Sequence, residues 1–229
     1  MPVYLLSDDI DFPPPQLARR DGLLAVGGDL SEERLLTAYR NGIFPWYQEG
    51  EPLLWWSPDP RLVLFPRELH VPKRLKRLIR RGDFEITLDS AFRAVVEECA
   101  KIRTDQGQGT WITSDMVQAY CSLYRAGFAH SVEAWCDGRL VGGVYGVSLG
   151  RAFFGESMFS RMGDASKVAL VRLTQYLEAQ DFDLIDCQIK TEHLLRFGAR
   201  EIPRTTFLAA LEQTLSRPTR RGHWSLSEN

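Results

Sequence analysis

Apolar and polar positions along this chain follow two rhythms, one helical and one alternating, and the switches between them lay out the elements. Gly27-Gly28-Asp29 reads as a turn, and Ser31 is a good helix N-cap. Leu35, Leu36 and Tyr39 then recur at helical spacing until Gly42 stops the run. After FPWY and a short polar loop comes LLWWSPDPR. The breaker Ser57-Pro58-Asp59-Pro60 marks a domain seam, giving a small N-terminal domain over 1–60 and a second domain over 61–229. In HVPKRLKRLIRRG, Leu75, Leu78 and Ile79 make an apolar stripe at i, i+3, i+4, with Lys73, Lys76, Arg77, Arg80 and Arg81 facing outward. Beyond it the order reads β-α-α-β-β-α-β. FEITLD is a strand, Ser90 to Ala100 and Asp115 to Ala126 are helices, and SVEAWCDGRLVGGVYGVSLGRAFFGESMF is a meander turning at Asp137-Gly138. Asp164 is expected to cap a helix reaching about Ala179, FDLIDCQI is apolar enough for a central strand, and a last helix covers about Thr206 to Leu215. Helices around a run of mostly antiparallel strands imply an α+β, three-layer second domain.

Composition narrows the class. The 229 residues are 44% hydrophobic and 25% charged, ordinary for a folded soluble protein and too apolar for dominant disorder. Leu140 to Gly150, the least polar stretch, is about half the roughly 20 residues a membrane helix needs and holds four glycines. MPVYLLSDDIDFPPP has neither the basic start nor the long apolar run of a signal peptide, so a cytoplasmic location and no membrane partner are expected. Cys99, Cys121, Cys136 and Cys187 are scattered, and none of the four histidines has metal-ligand spacing, so no metal is expected. Charge is uneven. Arg61 to Arg81 holds eight basic residues and one acid, a local +7 in a chain of net −2. Such a concentration suits a solvated helix face, or a polyanion such as a nucleic-acid backbone.

Three places carry candidate chemistry. In LIDCQI a period of two puts Asp186 and Gln188 on one face and Ile185, Cys187 and Ile189 on the other. Two polar side chains converging from a buried strand form either an internal hydrogen-bonded network or a site that orients a reactant. In FFGESMFSR, Glu156 sits among Phe153, Phe154, Met158 and Phe159. It either pairs with Arg161 or receives an external cation such as a ligand amine beside an apolar pocket. Trp46, Trp55, Trp56 and Trp111 fall beside Pro or Gly in expected loops, suited to stacking on bases or to plain packing. No GxxxxGK[ST] or GxGxxG sequence is present, nor the [QR]xxGx[GA] loop with which acetyltransferases hold a pyrophosphate.

The long motifs GLLAVGGDLS, YRNGIFPWY, LLWWSPDPR, GTWIT, AHSVEAW, LVGGVYG, FFGESMFSR, ASK and LIDCQ…T-EHL…GA together resemble the bacterial leucyl/phenylalanyl-tRNA–protein transferases, over nearly the whole chain. The resemblance implies a small N-terminal domain followed by a catalytic domain similar to the acetyltransferase (GNAT) fold. It implies transfer of Leu, and less readily Phe or Met, from aminoacyl-tRNA to the N-terminal Arg or Lys of acceptor proteins, which marks them for N-degron degradation. The donor is an activated ester, so no cofactor is implied. By the same resemblance Asp186 and Gln188 take the catalytic positions, Asp186 attracting the acceptor amine and Gln188 positioning its nitrogen. Glu156 takes the position holding the donor amino group. Phe153, Met158 and Ile185 form the donor side-chain pocket, and Trp46 and Trp111 stack on the terminal adenosine. Lys73, Arg74, Lys76, Arg77, Arg80 and Arg81 face the tRNA backbone. The chain departs from the family pattern at Arg196-Phe197, where a small polar residue followed by Leu is expected; this falls on the rim where the acceptor would lie.

Overall fold

The computed structural model describes residues 2–105 and 110–226, so Gly109, which opens the GTWIT motif, lies outside the described residues. Four short strands precede Ser57: β1 (Tyr4–Leu6), β2 (Leu23–Gly27), β3 (Phe44–Pro45) and β4 (Leu54–Trp56), in spatial order β1-β2-β4-β3. Helix α1 (Glu32–Arg40) lies among them. Its start is fixed as the pattern predicts, with the Ser31 hydroxyl accepting the Arg34 N–H.

Strands after Ser57 form a second, seven-stranded sheet. They are β5 (Arg61–Leu64), β6 (Glu85–Leu88), β7 (Ala129–Cys136), β8 (Arg139–Leu149), β9 (Ala152–Ser160), β10 (Leu184–Gln188) and β11 (Arg200–Ile202). Their order is β11-β5-β10-β9-β8-β7-β6, so β10 is interior, as its apolar sequence implies. Every pairing is antiparallel except β9 with β10. Asp137 and Gly138 both take positive φ, the left-handed pair that a two-residue hairpin turn requires.

The α-helices that follow α1 among the described residues are α2 (Lys73–Arg81), α3 (Phe92–Asp105), α4 (Ser114–Arg125), α5 (Ala165–Ala179), α6 (Glu192–Leu195) and α7 (Arg204–Leu215). Helices α3 and α5 cover opposite faces of the sheet. A Cβ on Gly143 would meet Val95 of α3, whereas one on the neighbouring Gly142 would lie 2.6 Å from the Ala165 Cβ of α5. Only glycine lets α5 come that close, and the result is the expected three-layer α+β arrangement. Asp164 behaves differently from expectation. It takes φ 67° and makes no side-chain cap, because its carboxylate is engaged by Lys167. Trp55 and Trp56 are likewise not loop residues: they lie in β4, and Trp55 is fully buried.

Two features position the site. A single buried cluster joins the sheets, drawing on Tyr39 of α1, Trp55, Val95, Tyr120 of α4, Phe154 and Phe207 of α7. The β9–β10 ladder also ends early. Pairing stops at Phe154 opposite Asp186, while β9 runs on to Ser160 and β10 to Gln188. The strands part there, and the gap becomes a cavity.

Candidate active site

The cavity has a volume of about 420 Å³. Its wall is mostly apolar, with Phe44, Val144, Phe153, Met158, Leu170, Leu173 and Ile185 all contributing. The three residues expected to form a side-chain pocket, Phe153, Met158 and Ile185, are thus brought together. Trp46 and Trp111 border the same cavity. Trp46 is 41% exposed at its edge, whereas Trp111 is nearly buried. His193, isolated in sequence, also lines it; burial lowers its pKa, with Lys167 and Arg196 adding to the effect.

Among the described residues one carboxylate lines this wall, that of Glu156, and it is held by three donors. The Tyr39 hydroxyl donates to Oε1 at 2.8 Å, the Tyr120 hydroxyl to Oε2 at 2.5 Å, and the Gln188 side-chain amide to Oε1 at 2.9 Å. The two phenols also lie 2.8 Å apart. Burial pushes the Glu156 pKa up to about 7; the hydrogen bonds from Tyr120, Tyr39 and Gln188 oppose the rise, and the nearby Asp186 charge adds to it. Burial likewise raises both tyrosines, reinforced by the Glu156 charge. The internal partner considered for Glu156 is occupied elsewhere, since Arg161 bonds Glu98 and Asp105.

Asp186 and Gln188 do not share a face. The register shifts between them, Gln188 takes φ 62°, and the alternation breaks. As a result Ile185, Cys187, Gln188 and Ile189 line the cavity and Asp186 does not. Asp186 is fully buried. Its Oδ1 accepts from Arg61 Nε at 2.8 Å and from the Gln188 backbone N–H at 2.9 Å, and its Oδ2 accepts from Arg61 Nη2 at 2.7 Å. The side chain expected to attract an acceptor amine is thus enclosed and already paired with Arg61.

Sequence reasoning overlooked Tyr39, Tyr120 and Arg61. Tyr39 counted only as one of a row of apolar positions at helical spacing, and a buried phenol needs a partner; that need was the available signal. For Arg61 the signal was an arginine at the head of the apolar run RLVL, matched by an aspartate in the apolar run LIDC.

The basic helix stands apart from the cavity. Lys73, Arg74, Lys76, Arg77, Arg80 and Arg81 are all exposed on α2, while Leu75 anchors it. Arg74, Arg77, Arg80 and Arg81 border a second hollow together with Gly163 and Asp164. No cluster of three or more His, Cys, Asp or Glu side chains suited to a metal occurs among the described residues, and no helix among them is long and apolar enough to cross a membrane.

Similarity to known proteins is extensive. The family model for leucyl/phenylalanyl-tRNA protein transferase matches residues 63–212, and the model for the N-terminal domain of that family matches residues 28–59. The leucyl/phenylalanyl-tRNA–protein transferase of Desulfatibacillum aliphaticivorans is 61% identical over 100% of this chain and 99% of its own length. That of Myxococcus xanthus is 56% identical over 98% of this chain and 97% of its own. Among solved structures, a GCN5-related N-acetyltransferase from Kribbella flavida is similar at TM-score 0.34 and 11% identity, over 72% of this chain and 59% of that one. The C-terminal domain of a putative lysylphosphatidylglycerol synthetase from Agrobacterium fabrum reaches TM-score 0.42 at 11% identity, over 90% and 67%. Matched along nearly its whole length, the chain belongs to the leucyl/phenylalanyl-tRNA–protein transferase family of aminoacyltransferases.

Proposed function

We propose that this enzyme moves leucine, and less readily phenylalanine or methionine, from the 3′ end of aminoacyl-tRNA to the N-terminal Arg or Lys of acceptor proteins in the cytoplasm, marking them for N-degron degradation. The observation that carries the reading is Glu156, a carboxylate set in the wall of a mostly apolar cavity. An amino acid esterified to tRNA presents that combination in mirror image, an ammonium beside an apolar side chain. Binding the ammonium favours the ionised form of Glu156 against the burial that opposes it.

The reaction is aminolysis. The neutral α-amine of the acceptor attacks the ester carbonyl, a C–N bond forms, and the C–O bond to the ribose breaks. The amine gives up a proton and the ribose hydroxyl leaves with one. Gln188 is the polar side chain beside Glu156 in the cavity, placed to position the attacking nitrogen. No strong base is required, because holding two reactants in near-attack geometry supplies on the order of 7–11 kcal/mol. In this reading Asp186 supports Gln188 from behind, while Phe153, Met158 and Ile185 receive the donor side chain. An apolar pocket separates side chains by only about 1–3 kcal/mol per methylene, so exclusion of β-branched donors rests on shape. Trp46 and Trp111 flank the adenosine. Residues 1–60 act as a small N-terminal domain that closes the cavity through Phe44 and Trp46. Lys73, Arg74, Lys76, Arg77, Arg80 and Arg81 hold the RNA backbone by charge without reading bases.

Purified protein mixed with leucyl-tRNA and a peptide beginning with Arg, beside the same peptide beginning with Ala, tests the whole reading. One leucine added to the Arg peptide alone is the expected result by mass spectrometry. Binding of leucyl-tRNA with no mass gain on either peptide would leave an RNA-binding protein without this chemistry.

A further inference from the structure

We infer that Arg61 is a positioning residue of the transfer reaction: acting through Asp186, it holds Gln188 in the one backbone conformation that turns its amide into the cavity. The inference rests on the reading that Gln188 faces the reacting groups. Arg61 heads β5 and is fully buried, as is the carboxylate it grips with two parallel hydrogen bonds. Its guanidinium also lies between two rings, 4.8 Å from the centre of Phe44 and 4.7 Å from that of Phe207. Phe44 lines the cavity, and Arg61 does not.

A buried ion pair is a weak source of stability, since two well-packed apolar residues serve as well. What such a pair supplies is a fixed direction, and here the direction leads to Gln188. Asp186 Oδ1 takes the Gln188 backbone N–H at the point where β10 leaves its regular ladder. At φ 62° Gln188 occupies the left-handed region, where a side chain is disfavoured unless its surroundings hold it. That conformation sends the Gln188 amide to Glu156 at 2.9 Å, on the side opposite to the one alternation would give it. Arg61 thus reaches the substrate site in three steps, through Asp186, Gln188 and Glu156, without touching substrate.

The test is a double-mutant cycle on the intact protein: Arg61→Lys, Gln188→Ala and both together. The kcat and KM for leucyl-tRNA are measured with the Arg peptide, and each rate is scaled to the folded fraction. Lysine keeps the charge and loses the two-pronged grip. Arg61→Lys is expected to lower kcat by about 10- to 100-fold, in line with a misplacement of roughly 1 Å, while KM for leucyl-tRNA moves less than about twofold. In the Gln188→Ala background the same change should cost less than about threefold, because the group it positions is gone. A merely structural Arg61 would give the same fold-loss in both backgrounds, and that result overturns the inference. So does a wild-type kcat for Arg61→Lys when Gln188→Ala is impaired, which leaves the reading of Gln188 standing. A wild-type kcat for Gln188→Ala overturns both. Should Arg61→Lys fail to fold, Asp186→Asn replaces it in the cycle. It keeps an oxygen for the Gln188 N–H but loses the ion pair, and the same two outcomes decide.

Discussion

Replacing Glu156 by Gln should turn a pH-dependent liability into a pH-independent side chain. Glutamine keeps the shape and a carbonyl oxygen for the phenols of Tyr39 and Tyr120, and it mimics the protonated acid. In the folded protein Glu156 titrates near 7, above the ordinary 4.5, chiefly because it is buried. A group raised in this way gives its full stabilising share below pH 4.5 and loses it as pH rises through 7. A difference of about two and a half pH units, at about 1.4 kcal/mol each, comes to about 3 kcal/mol. About 2.5 kcal/mol of this falls between pH 5 and pH 8. The assay is urea unfolding of both proteins at pH 5, 6, 7 and 8. The variant should gain on the wild type by that amount across the series and then level off. If the gap between the two proteins stays constant within about 0.5 kcal/mol, Glu156 does not change its charge in this window, and its three donors outweigh its burial. Leucyl transfer by the same variant should fall sharply, because the ammonium of the donor loses its counter-charge.

Tyr120→Phe removes the 2.5 Å donor to Glu156; a hydrogen bond to a charged group contributes about 1.5–3 kcal/mol, so urea unfolding at pH 8 should show a loss of that order and a smaller one at pH 5. An equal loss at both values would mean that the phenol does not serve the ionised form. Changing Lys73, Arg77 and Arg80 to Glu should weaken tRNA binding and flatten the log–log salt slope by about 3 if each residue neutralises one phosphate. An unchanged slope in fluorescence titrations places the RNA track elsewhere. Trp224 is 1% exposed and stacks on His130 at 3.6 Å, so Trp224→Ala should cost about 3–5 kcal/mol of stability while KM for leucyl-tRNA at 20 °C stays the same. A raised KM would tie that C-terminal segment to substrate binding.

Local pattern made much of the architecture legible. The apolar stripe of α2, the Asp137-Gly138 turn and the interior character of β10 all follow from neighbours a few residues apart. The residues around the cavity were legible in type but not in direction. Alternation assigns Asp186 and Gln188 to one face only while β10 stays regular, and the register shift between them reverses the assignment. Nothing in LIDCQI announces that shift, since its cause is a hydrogen bond from the Gln188 N–H to a carboxylate fixed by an arginine 125 residues away. The phenol of Tyr39 meets Glu156 across 117 residues, and no periodicity can encode such a distance. The strand position of Trp55 was illegible for a similar reason, because its neighbouring prolines suggested a loop while pairing of β4 with β2 and β3 made it a strand residue.

The joining of distant segments at one point has a kinetic consequence. Tyr39, Phe44, Arg61, Tyr120, Glu156, Gln188 and Phe207 come from seven separate elements, and each contact among them closes a long loop. Contacts of that kind form late in folding, after the entropy of loop closure has been met. Recovery of transfer activity during refolding should therefore lag behind recovery of helix and sheet signals, and it reports the final docking of the first sixty residues and α7 onto the seven-stranded sheet.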